Sequence, residues 1–384
     1  MSEKSGRLPQ LDGARGLAVL VVISGHLHPW PGFVSGEVAM EAFFGLSGFL
    51  ITGLLLAEHR RRGRIDLPYF FARRALRLLP ALWLFLGTWL AIVLLLGHER
   101  WMTTVPGSRF GGAQHVAPAL AGVLAAVAYV SNWMMALHLF HGQVALGHLW
   151  SLAVEEQFYL IWAPLLALVL ARRSSYALPA TIGMAALSLA EPLWLWDHGR
   201  GVNHVYFGTD TRAAALLVGA VAAQLWHRGE LSKLFDGVAG AMLMGGCVAG
   251  MVAAGYLMHH GRVPVEWLSG WTVGSIAGPL AVAGLVVRGA KPAAVALSGP
   301  WITYVGRRSY GLYLWHYPWV TWLSGIGPAR YPLVLLASFA CAEASWRLVE
   351  RRALTVKTRF ERADLSSPAA QSEPVVVSPV RAAT

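Results

Sequence analysis

Apolar residues in this chain do not alternate with polar ones at a strand's period of two. They gather into long runs, separated by short stretches in which arginine recurs. Eleven such runs can be drawn, at about 10–28, 36–57, 74–96, 115–136, 148–170, 178–196, 208–226, 237–258, 266–288, 302–325 and 330–350. Most approach the roughly 20 residues that a helix needs to cross a bilayer. The pattern therefore predicts an all-α, polytopic membrane helical bundle. The polar start, Met1 to Arg15, leads into a first run without a small-residue cleavage signature, so that run is read as a retained span rather than a signal peptide.

Charge placement sharpens the count. Basic clusters follow the second run (Arg60, Arg61, Arg62, Arg64, Arg73, Arg74, Arg77) and the fifth (Arg172, Arg173), and recur at Arg228, Lys233, Arg288, Lys291, Arg307, Arg308, Arg347, Arg351 and Arg352. With the N-terminus inside, the positive-inside rule puts them all on the cytoplasmic face only if one run between 97 and 147 fails to cross. Run 115–136, rich in small residues and flanked by His115, His138 and His141, is the expected exception, re-entrant or interfacial. This predicts about ten transmembrane helices, both termini cytoplasmic, a membrane domain over 1–352 and a disordered polar tail over 353–384.

Composition agrees. Hydrophobic residues make up 56% and charged residues 13% of the 384, against about 25% charged in soluble domains. The excess of 31 basic over 20 acidic residues, +11, is spread between apolar runs, which fits cytoplasmic loops and argues against a nucleic-acid partner. Cys247 and Cys341 match no disulfide or metal-ligand spacing, and no zinc-type spacing occurs.

Ionisable groups inside spans are costly and so mark candidate function. Arg15 and His26 are eleven residues apart, about 16 Å of helix rise and close to three turns, so they share a face at different depths. Snorkelling of Arg15 and a capping role for His26 are the structural alternatives. Glu41, early in the next run, falls near the depth of His26, where a carboxylate would orient an imidazole; an interfacial glutamate solvated by headgroups is the rival reading. Arg73, Arg74 and Arg77 form a guanidinium patch at the start of the third run, suited to a polyphosphate or to lipid headgroups. Glu155 shares a helix face with Tyr159 and Trp162, below Trp150. Asp210 reads as a helix cap, with Arg212 inside it. His316 precedes Pro318, which would relax its helix. The pattern places Arg15, Arg73, Arg74 and Arg77 at the cytoplasmic side, and His26, Glu41, Glu155 and Arg212 toward the other, with His316 between.

Six stretches in order over residues 8–350 resemble the acyltransferase 3 family of integral-membrane O-acyltransferases. They are Leu11-Asp12-Gly13-Ala14-Arg15 with His26, Phe43 to Thr52, Phe71 to Pro80, Leu149 to Leu160, Thr209 to Arg212, and Tyr310 to Pro318. The resemblance implies a ten-span enzyme of a bacterial-type plasma membrane. It would move an acyl group, commonly acetyl, from cytoplasmic acyl-CoA to a hydroxyl of a cell-surface carbohydrate or glycolipid, with no metal. It carries the arginine–histidine pair onto Arg15 and His26 and the basic motif onto Arg73, Arg74 and Arg77, and marks Glu155 and Arg212 as site residues. It also implies a stand-alone form without a fused esterase-like domain. Two departures stand out: Glu41 replaces the usual aspartate before Phe43-Phe44, and Glu350-Arg351-Arg352 replaces Glu-x-Pro, which removes a helix stop.

Together these readings assign His26, Glu41 and Glu155 to catalysis, with His26 as general base or acylated nucleophile. Arg15, Arg73, Arg74 and Arg77 are assigned to the CoA phosphates, and Trp150, Tyr159, Arg212 and His316 to the acceptor. A small secondary metabolite such as a macrolide is the alternative acceptor. A transporter or flippase of a lipid-linked sugar is the rival of another class, and a scaffold that has lost catalysis is a third.

Overall fold

The structure is a computed structural model that describes residues 8–27, 36–96, 116–139, 146–197, 201–260, 264–288 and 291–356. Among the described residues there is no strand. The helices are α1 (Pro9–Leu27), α2 (Gly36–Arg62), α3 (Leu67–Leu96), α4 (Val116–Val127), α5 (Ser131–Ala136), α6 (Trp150–Arg173), α7 (Ala177–Asp197), α8 (Gly201–Phe207), α9 (Thr209–His227), α10 (Leu231–Leu234), α11 (Gly237–His260), α12 (Pro264–Val287), α13 (Pro292–Leu297), α14 (Pro300–Arg307), α15 (Ser309–Trp322) and α16 (Arg330–Ser345).

Six described stretches are long and apolar enough to cross a membrane: 36–62, 67–95, 147–196, 237–260, 265–287 and 324–356. The third holds two helices, because Arg173 takes an extended conformation (φ −154°, ψ 90°) between α6 and α7. Helices α1 and α9 have 19 residues each, about 28 Å of rise, but carry charges on buried faces.

Three runs depart from single straight helices, each for a physical reason. Run 115–136 is two short helices of 12 and 6 residues, α4 and α5. The chain turns between them at Tyr129, whose φ is +53°. The Tyr129 carbonyl accepts from Gln157 Nε2 at 2.6 Å, and Gln157 also donates to Asn132 at 2.9 Å. Asn132 in turn donates to Phe207 O and Thr209 Oγ1. This satisfied network fastens the break to α6 and α9. His115 and His141 lie outside the described residues.

Run 302–325 divides at Arg308 into α14 and α15. The Arg308 guanidinium stacks 3.7 Å over Tyr304 and pairs with Glu343 of α16. The last run does not stop at 350. A π-helical turn, Trp346–Glu350, leads into helix that persists to Val356, as expected where Glu350-Arg351-Arg352 lacks a proline. Residues 353–356, expected in the tail, are thus helical, and residues 357–384 lie outside those described.

The core is formed where α1, α2, α6, α9 and α15 meet, at Val19, Ile23, Phe44, Leu166, Leu216 and Leu312. Helices α2 and α9 approach closely because small residues face each other. A Cβ on Gly48 would lie 1.9 Å from the Leu216 carbonyl oxygen, and one on Gly219 would lie 2.0 Å from that of Gly45. Such contacts are how helices associate where lipid supplies no hydrophobic drive.

Gly48→Val is expected to force α2 and α9 apart and cost about 1–3 kcal/mol or more, read as a lower melting temperature of the solubilised protein. Gly87→Ala, where a Cβ meets nothing within 4 Å, should leave that temperature unchanged or raised. Equal behaviour of the two variants would contradict this packing.

Candidate functional site

The candidate residues named from the sequence fall into three polar groups, and α6 touches all of them. The first lies around Arg15. Helix α3 starts earlier than the sequence pattern placed it, because Asp66 accepts from Tyr69 N at 3.0 Å and caps it. Arg73, Arg74 and Arg77 therefore sit two to three turns inside the helix, not at its N-terminus, and the helix dipole adds little to them.

The three arginines are also not one patch. Arg73 donates to Glu58 at 3.1 Å and stacks on Tyr69. Glu58 also accepts from Asp66 N at 2.9 Å, so Arg73 closes the α2–α3 turn. Arg74 pairs with Glu156 at 2.5 Å and lies 3.7 Å over the Tyr159 ring. Arg77 is exposed and makes no hydrogen bond or ion pair among the described residues. It lies within electrostatic reach of Arg15 and Arg74. Arg15 is 3.8 Å from Asp12, a loose pairing.

Glu155 belongs to this group. It accepts from Ser47 Oγ at 2.5 Å and shares its surroundings with Arg74 and Arg15. The expected division, with Glu155 beside His26, is thus corrected. Helix α6 enters beside His26 and runs antiparallel to α1, so Glu155 and then Tyr159, one and two turns in, descend toward Arg15 and come within its electrostatic reach.

The second group surrounds His26. His26 Nδ1 is 2.9 Å from Val22 O and 3.3 Å from His316 Nε2. His316, with no exposed surface, directs Nδ1 to Tyr313 O at 2.8 Å. The His26 and Tyr317 rings meet close to right angles, 5.0 Å between centroids, and His148 stacks on Tyr317 at 4.9 Å. His148 did not emerge from the sequence reading, yet a signal for it exists. Pro318 lacks an N–H, so the Leu314 carbonyl one turn earlier loses its helical donor. His148 Nε2 takes that place, 3.1 Å from Leu314 O. Its buried Nδ1 has no partner among the described residues. Tyr313 donates to His148 O at 2.5 Å and meets Ser151 Oγ at 2.5 Å, joining this group to the top of α6.

The third group centres on Arg212, 1% exposed. It pairs with Glu41 and donates to Tyr206 O at 2.6 Å, and its guanidinium lies over both the Trp150 and Tyr206 rings, at 5.2 and 4.6 Å from their centroids. Glu41 also accepts from Ser275 Oγ at 2.9 Å. Glu41 is therefore corrected as well: its two oxygens are taken by Arg212 and Ser275 rather than by His26. Arg212 Nη2 is buried without a hydrogen-bond partner among the described residues.

Ser47, Ser151, Ser275, Glu156 and Tyr313 complete these groups and were not singled out by the sequence. Hydroxyls of this kind look like packing residues until a neighbouring helix supplies their partner. Chemically, the arrangement offers a line of polar groups through an apolar bundle. An unpaired cation, Arg77, stands at one end, carboxylates lie midway, and an imidazole cluster stands at the other.

Comparison with known proteins places this geometry. A family model described as an acyltransferase domain matches residues 8–343. The peptidoglycan O-acetyltransferase OatA of Listeria monocytogenes is 31% identical over 363 residues, covering 89% of this chain and 55% of its own. The putative peptidoglycan O-acetyltransferase YrhL of Bacillus subtilis is 32% identical, over 90% of this chain and 54% of its own. The O-acetyltransferase OatA of Staphylococcus aureus is 31% identical, over 89% and 56%. The chain thus spans about half the length of the curated relatives it matches. No solved structure matches it significantly.

The Arg212–Glu41 pair sets a stability test. Removing one partner of a buried ion pair strands the other, at a cost of about 3–5 kcal/mol. Glu41→Leu alone should lose most of its folded yield, and Glu41→Leu with Arg212→Leu should recover much of it, measured by monodispersity and thermal unfolding in detergent. A double variant no better than the single one would contradict the pairing.

Proposed function

Because the chain belongs to the acyltransferase family that its residues 8–343 match, we propose that it is an integral-membrane O-acetyltransferase. In this reading it takes an acetyl group from cytoplasmic acetyl-CoA and passes it to a hydroxyl of a cell-envelope glycan of the peptidoglycan kind. The ten-span topology with both termini in the cytoplasm belongs to the same reading. The observation that carries it is the polar line through the bundle, from Arg77 and Arg15 past Glu155 to His26.

The residues present fit a phosphate-bearing donor selectively. Arg73 and Arg74 are already neutralised by Glu58 and Glu156. Arg77, unpaired and exposed, and Arg15, loosely held by Asp12, are left to bind the phosphates. From Arg15 to His26 is about 16 Å along α1, a distance that an extended pantetheine arm can cover. His26 removes the proton from the acceptor hydroxyl as that oxygen attacks the thioester carbonyl, and returns it to the departing thiolate. Glu155, fixed by Ser47, stands between the two ends and orients the arm. Trp150 and Arg212 stand near the histidine end and serve the acceptor, an aromatic face being suited to a sugar ring, whereas the Tyr159 ring is covered by Arg74 toward the donor end.

The test is transfer of radiolabelled acetyl groups from acetyl-CoA by the purified protein in lipid vesicles, with a soluble glycan fragment as acceptor. His26→Ala is expected to abolish transfer with the melting temperature preserved. Arg77→Gln should raise KM for acetyl-CoA about tenfold, the effect of losing about 1.4 kcal/mol of uniform binding, and Arg73→Gln should do so far less. Full transfer by a folded His26→Ala protein would overturn the assignment.

A further inference from the structure

A general base needs a defined tautomer, and the group that fixes it is ordinarily a carboxylate. The two carboxylates that the sequence pattern placed at its depth are committed elsewhere, Glu41 to Arg212 and Ser275 and Glu155 to Ser47. Among the described residues, His26 meets another imidazole, that of His316.

The main-chain carbonyls settle the protons in this pair. A carbonyl oxygen only accepts, so a ring nitrogen facing one carries hydrogen. His316 Nδ1 faces Tyr313 O at 2.8 Å and is therefore N–H. In the neutral ring this leaves His316 Nε2 with its lone pair. His26 Nδ1 faces Val22 O at 2.9 Å, so it too is N–H, and it lies 3.3 Å from that lone pair. The order is Tyr313 carbonyl, N–H of His316, lone pair of His316, N–H of His26. The basic nitrogen of His26 is then Nε2. The His26 ring packs T-shaped with Tyr317, on which His148 also stacks.

We propose that His316 is the positioning residue for His26, an imidazole standing where a carboxylate would ordinarily stand; the proposal rests on the acyltransferase reading above. During transfer the acceptor O–H bond breaks and Nε2–H forms on His26, while the acceptor oxygen bonds the acyl carbon and the C–S bond breaks. The thiolate then takes the proton from Nε2, so a hydroxyl and a thioester become an ester and a thiol with no net proton. While His26 is cationic its Nδ1–H is a stronger donor, and the His316 lone pair stabilises that charge. A neutral partner does this without adding a second charge to an apolar bundle, where an unmatched carboxylate would be costly.

The test uses the full chain in lipid nanodiscs, with histidine labelled by ¹⁵N and no substrate present. His26 and His316 are assigned from the signals lost in His26→Ala and His316→Phe. Both are expected in the Nδ1–H form, the less common one in water, with unprotonated Nε2. A proton on His316 Nε2 would overturn the proposal. In the acetyl-transfer assay, His316→Phe should lower kcat by about 10²-fold, the low end of what a positioned acid–base group supplies. KM for acetyl-CoA should stay within about twofold, since the donor does not touch this ring. His316→Gln, whose Oε1 can take the place of the Nε2 lone pair, should regain a good part of the loss. Equal kcat for the wild type and His316→Phe, or equal loss in the Phe and Gln variants, would overturn the positioning role while leaving the acyltransferase reading in place. A wild type that transfers no acetyl group overturns that reading, and the tautomers then decide the pairing alone.

Discussion

An arginine with about one per cent of its surface exposed cannot stay charged inside an apolar bundle unless something opposite answers it, and this fold is organised around that requirement at Arg212. Its answer, Glu41, comes from α2, and Ser275 of α12 completes the carboxylate's bonding. The pair can form only if α2 and α9 lie close enough for their backbones to touch, which is what Gly45, Gly48 and Gly219 allow. Packing and electrostatics thus impose the same geometry on the same helices. A change in either would displace Trp150, which lies against both Arg212 and Phe44, and with it the start of α6.

Helix α6 carries the consequence into the rest of the site. Its first turn supplies Trp150 to the arginine group and Ser151 to the histidine group, and its next turns supply Glu155, Glu156 and Tyr159 to the Arg15 group. Three polar environments are held in register by one rigid rod, which is what the proposed acyl transfer would require. Its side of the route is fixed by i,i+4 spacing rather than by loops.

The all-helical character of the described residues was legible in the sequence, because run length is a one-dimensional signal. The Arg15–His26 spacing on α1 was legible for the same reason. Partners were harder. Glu41 and Glu155 were both expected beside His26 on grounds of depth, but depth along a helix says nothing about which neighbour it faces. Arg74 was misplaced because the cap at Asp66 starts α3 at Leu67, well before its apolar run begins, which carries the arginines inward to meet Glu156. Ser47 sits in a stretch that reads as packing, and only the arrival of α6 gives its hydroxyl something to bond. The kink at Arg308 follows from Glu343 and Tyr304, one of them a helix away.

The contact between His26 and His316 joins residues 290 positions apart. Helix α1 leaves the ribosome well before α15 does. At 5–20 residues per second the interval is roughly 15–60 s. The Leu314 carbonyl that Pro318 leaves open, and that His148 fills, is likewise available only then. Until α15 arrives, His26 and His316 cannot meet. The imidazole cluster is completed only at that point, so a chain stalled before α15 lacks the contact on which the proposed chemistry relies.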